Sequence, residues 1–135
     1  MKKYLFTSLF FYCSLAFSEG YVCIGDKSTG FRYDKSSKSW ITSTFNVSDS
    51  KYTLTLSNGQ WKWNKLGEKS SLPSDCGKFN EYGYLHCSPL LKKLTFNKKN
   101  LRYMLIYDVG YVNGGLFGNE GEDTPNMEIG KCSPL

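Results

Sequence analysis

The residues best suited to chemistry in this 135-residue chain are few and scattered. Asp34, Glu81, Asp108 and Glu128 are carboxyls that could work in pairs on a glycosidic bond, one as acid and one as base or nucleophile. Their spacing selects no pair. His86 is the only histidine, and a nucleophilic triad would need it beside a Ser or Cys and a carboxylate. Its neighbour Cys87 is expected on the opposite face of an alternating strand and oxidised. No H-E-x-x-H, G-x-S-x-G or glycine-rich phosphate loop occurs. In "GNEGEDTP", Glu120, Glu122 and Asp123 could offer oxygens to calcium, but the exiting helix of an EF-hand is missing and Pro125 intrudes. Gly118 to Pro125 therefore reads as a solvated acidic loop, with calcium as the weak alternative. No metal or other cofactor is expected.

Aromatic residues are the other candidates. Tyr and Trp combine large apolar area with a polar tip, which suits binding surfaces as well as cores. Core packing accounts for more than half of them. Trp61 and Trp63, next to an exposed turn, and Tyr82 and Tyr84 are the expected contact residues. Charge gives little: the basic residues form only the pairs Lys92-Lys93 and Lys98-Lys99, without the basic stripe of a nucleic-acid binder. Asn46-Val47-Ser48 matches a glycosylation sequon, incidental if the source is bacterial, as the short lysine-led leader suggests.

That leader also sets the compartment. Lys2 and Lys3 precede an apolar stretch from Leu5 to Phe17, and Ala16-Phe17-Ser18 offers a cleavage site, so residues 1–18 read as a signal peptide. The stretch is shorter than the roughly 20 residues that a membrane-spanning helix needs, and Cys13 lacks the small neighbours of a lipoprotein site. Cleavage leaves 117 residues, one β domain from 19 to 135, periplasmic or secreted and without a stable membrane anchor. The net charge falls from +5 to +3 as Lys2 and Lys3 are lost. Cys23, Cys76, Cys87 and Cys132 remain, an even set that implies two disulfides. Their wide spacing does not suit zinc.

The elements that must position these residues are strands. Apolar residues alternate with period two, and no stretch after the leader keeps helical spacing. "KYTLTLSNGQWKWNK" is a hairpin: Tyr52, Leu54 and Leu56 share one face, Trp61 and Trp63 share a face, and Asn58-Gly59 suits a type I′ turn. "LTFNKKNLRYMLIY" forms a second and "GFRYDKSSKSWITS" a third. In "YGYLHCS", Tyr82, Tyr84 and His86 oppose Leu85 and Cys87. Met127 to Cys132 is the last strand, with Met127 and Ile129 expected inward and Glu128 outward. Eight or nine short strands separated by turn signals, with no helix, predict an all-β, disulfide-stabilised antiparallel meander, a sandwich or small barrel of about eight strands. A helical turn fits either long gap, Leu66 to Phe79 or Val109 to Asn126. If the sheet closes, Cys23 on the first strand lies beside Cys132 on the last, leaving Cys76 for Cys87. Pairing of Cys23 with Cys87 and of Cys76 with Cys132 is the competing arrangement.

Cys23 with Gly30-Phe31-Arg32-Tyr33, Asn80 to Gly83 and Gly130 to Pro134 resemble a family of small secreted bacterial and phage-associated proteins that end in Gly-x-Cys-Ser-Pro. That resemblance covers nearly all of the mature chain and implies no activity. Tyr21-Val22-Cys23 is also similar to the entry strand of periplasmic C-type lysozyme inhibitors, which are small disulfide-bearing β-barrels; the Ser-x-Gly-x-x-Tyr stretch expected on their inhibitory face is not recognised in this chain. The resulting expectation is a binding module, inhibitor-like, with an unknown protein partner in the envelope or outside the cell. An envelope glycan hydrolase and a small-ligand carrier are the alternatives.

Overall fold

The computed structural model describes residues 19–68, 74–112, 114 and 119–135. The leader with Cys13, and Gly118 of the acidic loop, lie outside the described residues. The chain is all-β as its alternation predicts: β1 (Gly20–Asp34), β2 (Ser39–Phe45), β3 (Lys51–Ser57), β4 (Gln60–Lys65), β5 (Asp75–Cys76), β6 (Tyr84–Ser88), β7 (Lys92–Asn97), β8 (Arg102–Tyr107), α1 (Val109–Val112) and β9 (Asn126–Pro134). Among the described residues the one helical turn, α1, falls in the second long gap.

Every strand pairing is antiparallel, in the order β4-β3-β1-β9-β8-β7-β6-β5. The meander breaks once. β1 is 15 residues long, so its first half takes β3 and its second half takes β2 along the same edge. Its other edge takes β9, bringing the first and last strands together. β4 and β5 nearly close the barrel through side chains: Gln60 Nε2 donates to the Cys76 carbonyl, and Ser74 Oγ accepts from Trp63 N at 2.7 Å while donating to the Trp63 carbonyl.

The predicted hairpin turn at Asn58-Gly59 has φ of 52° and 75°, the left-handed pair that a type I′ turn requires. Both disulfides join residues directly opposite on neighbouring strands: Cys23 with Cys132 and Cys76 with Cys87, each with Cα atoms 3.9 Å apart. The first ties the first strand to the last, so the arrangement favoured by sheet closure is the one formed.

The core is a set of rings and branched chains pointing inward. Phe96, Leu54, Leu85, Leu94 and Cys23 are fully buried. Tyr52 stacks on Trp63 at 4.7 Å, Trp63 meets Tyr103 edge-on at 5.2 Å, and Tyr21 packs on Phe96 at 4.9 Å. Contacts of this kind add roughly 0.5–1.5 kcal/mol each beyond the area they bury.

Two expectations are corrected here. Trp61 and Trp63 are 6% and 4% exposed, not an outer contact patch. They stand opposite Leu56 and Leu54, and cross-strand partners share a face, so the burial of Leu54 carries Trp63 inward with it. The other correction is β9, where Glu128 is 8% exposed and Met127 and Ile129 are about 40% exposed. The bridged Cys132 must point inward, and a period of two carries Gly130 and Glu128 in with it. Replacing Trp63 with alanine is therefore expected to cost about 3–5 kcal/mol of stability, readable as a lower urea midpoint.

Candidate functional site

Two features stand out once inside and outside are assigned: a polar network within the barrel and an apolar strip on its outer face. The network is built around Glu128. Its Oε2 accepts from Ser50 Oγ at 2.6 Å and from Tyr52 OH at 3.4 Å, and its Oε1 accepts from Tyr103 OH at 2.7 Å. Gly130, two residues along β9, leaves no side chain where the Tyr103 ring lies against the strand, which lets the phenol reach the carboxyl. A register shift between Gly25 and Lys27 turns Ser28 inward opposite Glu128, as β-bulges re-aim side chains. Buried polar groups are expensive unless hydrogen-bonded, and here the carboxyl and its three hydroxyls satisfy one another.

Burial pushes the Tyr52 phenol up to about 12; its hydrogen bond with Ser50 offsets part of the rise and Glu128 adds to it. Tyr103 is shifted further the same way, by burial first and its bond to Glu128 second. A phenol raised in the fold binds its proton more tightly there than in the unfolded chain. The stability it contributes is intact below about pH 10, the unfolded value, and is lost as pH rises through about 12. Unfolding midpoints measured across that window are expected to fall steeply, and Tyr52→Phe to flatten the fall.

A cavity of about 320 Å³ opens at this end of the barrel, with Glu128, Tyr52 and Trp63 among its inner residues and Asn46, Lys65 and Lys92 on its lining. Rings fill the barrel centre beyond it, so the concavity is a recess at the mouth.

The four carboxyls with hydrolytic potential fall in separate surroundings. Asp34 accepts from the Ser36 and Ser37 hydroxyls, and the Ser36 bonds hold its carboxyl below the usual range. Asp108 accepts from Lys93 Nζ at 2.6 Å and is lowered chiefly by that bond. Glu81 is exposed in the turn before β6, and Glu128 is inside. No hydrogen-bond partner is shared between any two of them. His86 Nδ1 lies 3.1 Å from Thr95 Oγ1 and its ring stacks with Tyr84 on the outer face.

In the acidic loop, Glu120 accepts from Trp40 Nε1 at 3.1 Å, Glu122 from Asn119 Nδ2 at 2.7 Å and Asp123 from Tyr107 OH at 3.1 Å. Each acid thus has a protein donor. Among the described residues no group of three or more His, Cys, Asp or Glu is placed to hold a metal. Trp40 also meets Tyr33 and Tyr111 edge-on, each at 5.5 Å. The loop therefore docks on the far end of the β1–β2 hairpin.

The outer strip is formed where β8, β9 and β1 run side by side. Met104 stands directly opposite Ile129, and Met127 opposite Thr29, with Ile106 on its other side. Phe31 continues the same face of β1, and Ile24 lies at its edge. Met104, Met127, Ile129, Phe31 and Ile24 are 39–55% exposed. Tyr84 flanks the strip across Asn97 and Arg102, and Tyr82 is exposed just before it. Of the expected contact residues, then, Tyr82 and Tyr84 are outside and the two tryptophans are not. The methionine and isoleucine positions escaped the sequence reading, although the inward parity of Cys132 signals them.

No family model, curated protein or solved structure matches the chain. Two disulfides point to an oxidising, extracellular-type compartment, and no helix among the described residues is long and apolar enough to cross a membrane.

Proposed function

We propose that the chain is a periplasmic or secreted module that binds another protein, built like a small inhibitor. The observation that carries this reading is the outer strip. Apolar side chains scattered singly on a surface need no explanation, but contiguous ones mark interaction sites. Here Met104, Ile129, Met127 and Phe31 are contiguous across three bonded strands. Methionine suits such a surface because its flexible, polarisable side chain adapts to a partner.

The resemblance to C-type lysozyme inhibitors adds support. The fold is a small disulfide-bearing β-barrel entered by Tyr21-Val22-Cys23. The Ser-x-Gly-x-x-Tyr stretch expected on the inhibitory face of that class occurs as Ser28-Thr29-Gly30-Phe31-Arg32-Tyr33. Its Thr29 and Phe31 belong to the strip, whereas Ser28 is buried and Tyr33 packs on Trp40. A cell-wall hydrolase is accordingly the partner class we favour, in keeping with the signal peptide and with the bacterial and phage-associated family that the chain resembles.

The test is capture of cell-wall hydrolases and envelope proteins on immobilised wild-type protein and on a Met104→Lys/Ile129→Glu variant, which sets opposite charges on a directly opposed pair. Outward substitutions of this kind change stability by only about 0.5 kcal/mol each, so the variant keeps its fold. A partner held by the wild type and lost by the variant is the expected result. Equal capture by both, or none by either, would count against the reading.

A further inference from the structure

Two recesses open on the outer face, and Ile129 and Asp26 line both. Strand register lays this face out in rungs. Tyr84, Asn97, Arg102, Lys131 and Ile24 form the first, Thr95, Met104, Ile129 and Lys27 the second, and Ile106, Met127, Thr29 and Thr44 the third. The recess on the first rung holds about 510 Å³ and is rich in hydrogen-bond donors. Arg102 and Lys131 stand directly opposite each other, a like-charge pairing that costs stability. Among the described residues the salt bridges are Lys65–Glu68 and Lys93–Asp108, so neither cation is bonded to a carboxylate. Asn97 and Asn100 line the same recess, and the Oδ1 of each already accepts a backbone N–H, from Lys99 at 2.8 Å and from Arg102 at 3.1 Å. What their amides have left to offer is N–H. The recess on the other side of Ile129 holds about 410 Å³ and is mainly apolar, with Phe45, Val47 and Met127 lining it beside Lys27.

We infer that the partner bound by this face presents an extended segment carrying an acidic side chain and a large apolar one. The acid sits between Arg102 and Lys131, and the apolar group lies against Met127 and Phe45. The first and third rungs are four residues of β9 apart, about 13 Å at roughly 3.3 Å per residue, so the two side chains are about four positions apart in an extended segment. This rests on the reading of the outer strip as a protein contact and adds the chemistry of what it holds. A carboxylate matches the first recess because it accepts charge-assisted bonds from both cations and from the two amides. A wholly apolar segment would cover two cations without a counter-ion, which is costly. A wholly anionic polymer would leave the second recess and the Met104–Ile129 ridge without an apolar partner.

Phage selection of random dodecapeptides on the mature, oxidised protein, with titration of the recovered peptide, tests this. The recovered sequences are expected to share an Asp or Glu about four positions from a large apolar residue. Arg102→Gln/Lys131→Gln, which also removes the like-charge pair, is expected to bind such a peptide at least tenfold more weakly with no fall in thermal midpoint. Met104→Lys/Ile129→Glu leaves the net charge unchanged and is expected to weaken binding as well, through loss of the apolar ridge. Dextran sulfate, an anionic polymer without apolar side chains, is expected to bind at least tenfold more weakly than the peptide. Loss in Met104→Lys/Ile129→Glu with full binding by Arg102→Gln/Lys131→Gln would overturn the acid clamp and leave the strip as the contact surface. Loss in neither variant would overturn both. Loss in Arg102→Gln/Lys131→Gln alone, or dextran sulfate held as tightly as the peptide, would mean a contact of charge only and sink the inference. An empty selection, or peptides without the acidic residue, would do the same.

Discussion

Replacing Cys23 and Cys132 together with alanine is expected to leave the barrel marginal or unfolded at physiological temperature. The bridge closes a loop of 109 residues, and in the chain-entropy model a loop near 100 residues is worth about 4.7 kcal/mol. A domain of this size has roughly 5–15 kcal/mol in total. The position matters as much as the length: the bond joins the first strand, β1, to the last, β9, where Glu128 enters the core. The Cys76–Cys87 bond spans 11 residues and is worth about 3 kcal/mol by the same reasoning. Denaturant unfolding of the two double variants is thus expected to show the larger loss for Cys23 and Cys132. An equal or reversed ranking would mean that the seam between the first and last strands does not govern the stability of the sheet.

Glu128→Ala is expected to cost on the order of 3 kcal/mol, although a carboxyl-to-methyl change inside an aromatic core looks at first like a relief. The reason is what stays behind. Ser50, Tyr52 and Tyr103 would keep their hydroxyls in the interior without the acceptor that they share, and each unsatisfied buried donor costs about 1–3 kcal/mol. Adding Tyr103→Phe to Glu128→Ala removes one of those orphans. The double variant is therefore expected to be more stable than Glu128→Ala alone, the non-additivity that marks a shared network. Strictly additive losses in the double-mutant cycle would show that the phenol and the carboxyl do not interact.

Much of this architecture was legible in the sequence because strand alternation and turn chemistry are local. The Asn58-Gly59 turn, the inward Leu94, Phe96, Tyr103 and Leu105, and the outward Tyr84 and His86 opposite Leu85 and Cys87 all follow from period two and turn type. What was not legible depends on register between distant strands. Nothing local says that β1 is long enough to carry both β2 and β3, or that a bulge near Asp26 reverses its parity. Trp61 and Trp63 lie beside a turn, which suggests exposure, but their pairing with Leu56 and Leu54 places them on the inner face. Glu128 was placed outward because it is charged, although the parity of Cys132 carries it inward. The same parity would have revealed Met127 and Ile129 as surface residues. The Ser-x-Gly-x-x-Tyr stretch is also plain in the sequence at Ser28, Gly30 and Tyr33, contrary to the expectation that the chain lacks it, because the segment reads first as half of a hairpin.

Peroxide oxidation of methionine, followed by peptide mass spectrometry, tests the claim that the β8–β9–β1 face is where a partner sits. Beyond the initiator residue, Met104 and Met127 are the only methionines, both lie in the strip and both are exposed, and sulfoxide formation follows exposure. In the free protein both are expected to oxidise readily. With a captured cell-wall hydrolase bound, both are expected to be protected. Slow oxidation in the free protein would contradict the inside-out assignment of β9, and unchanged oxidation in the complex would contradict the strip as the contact surface.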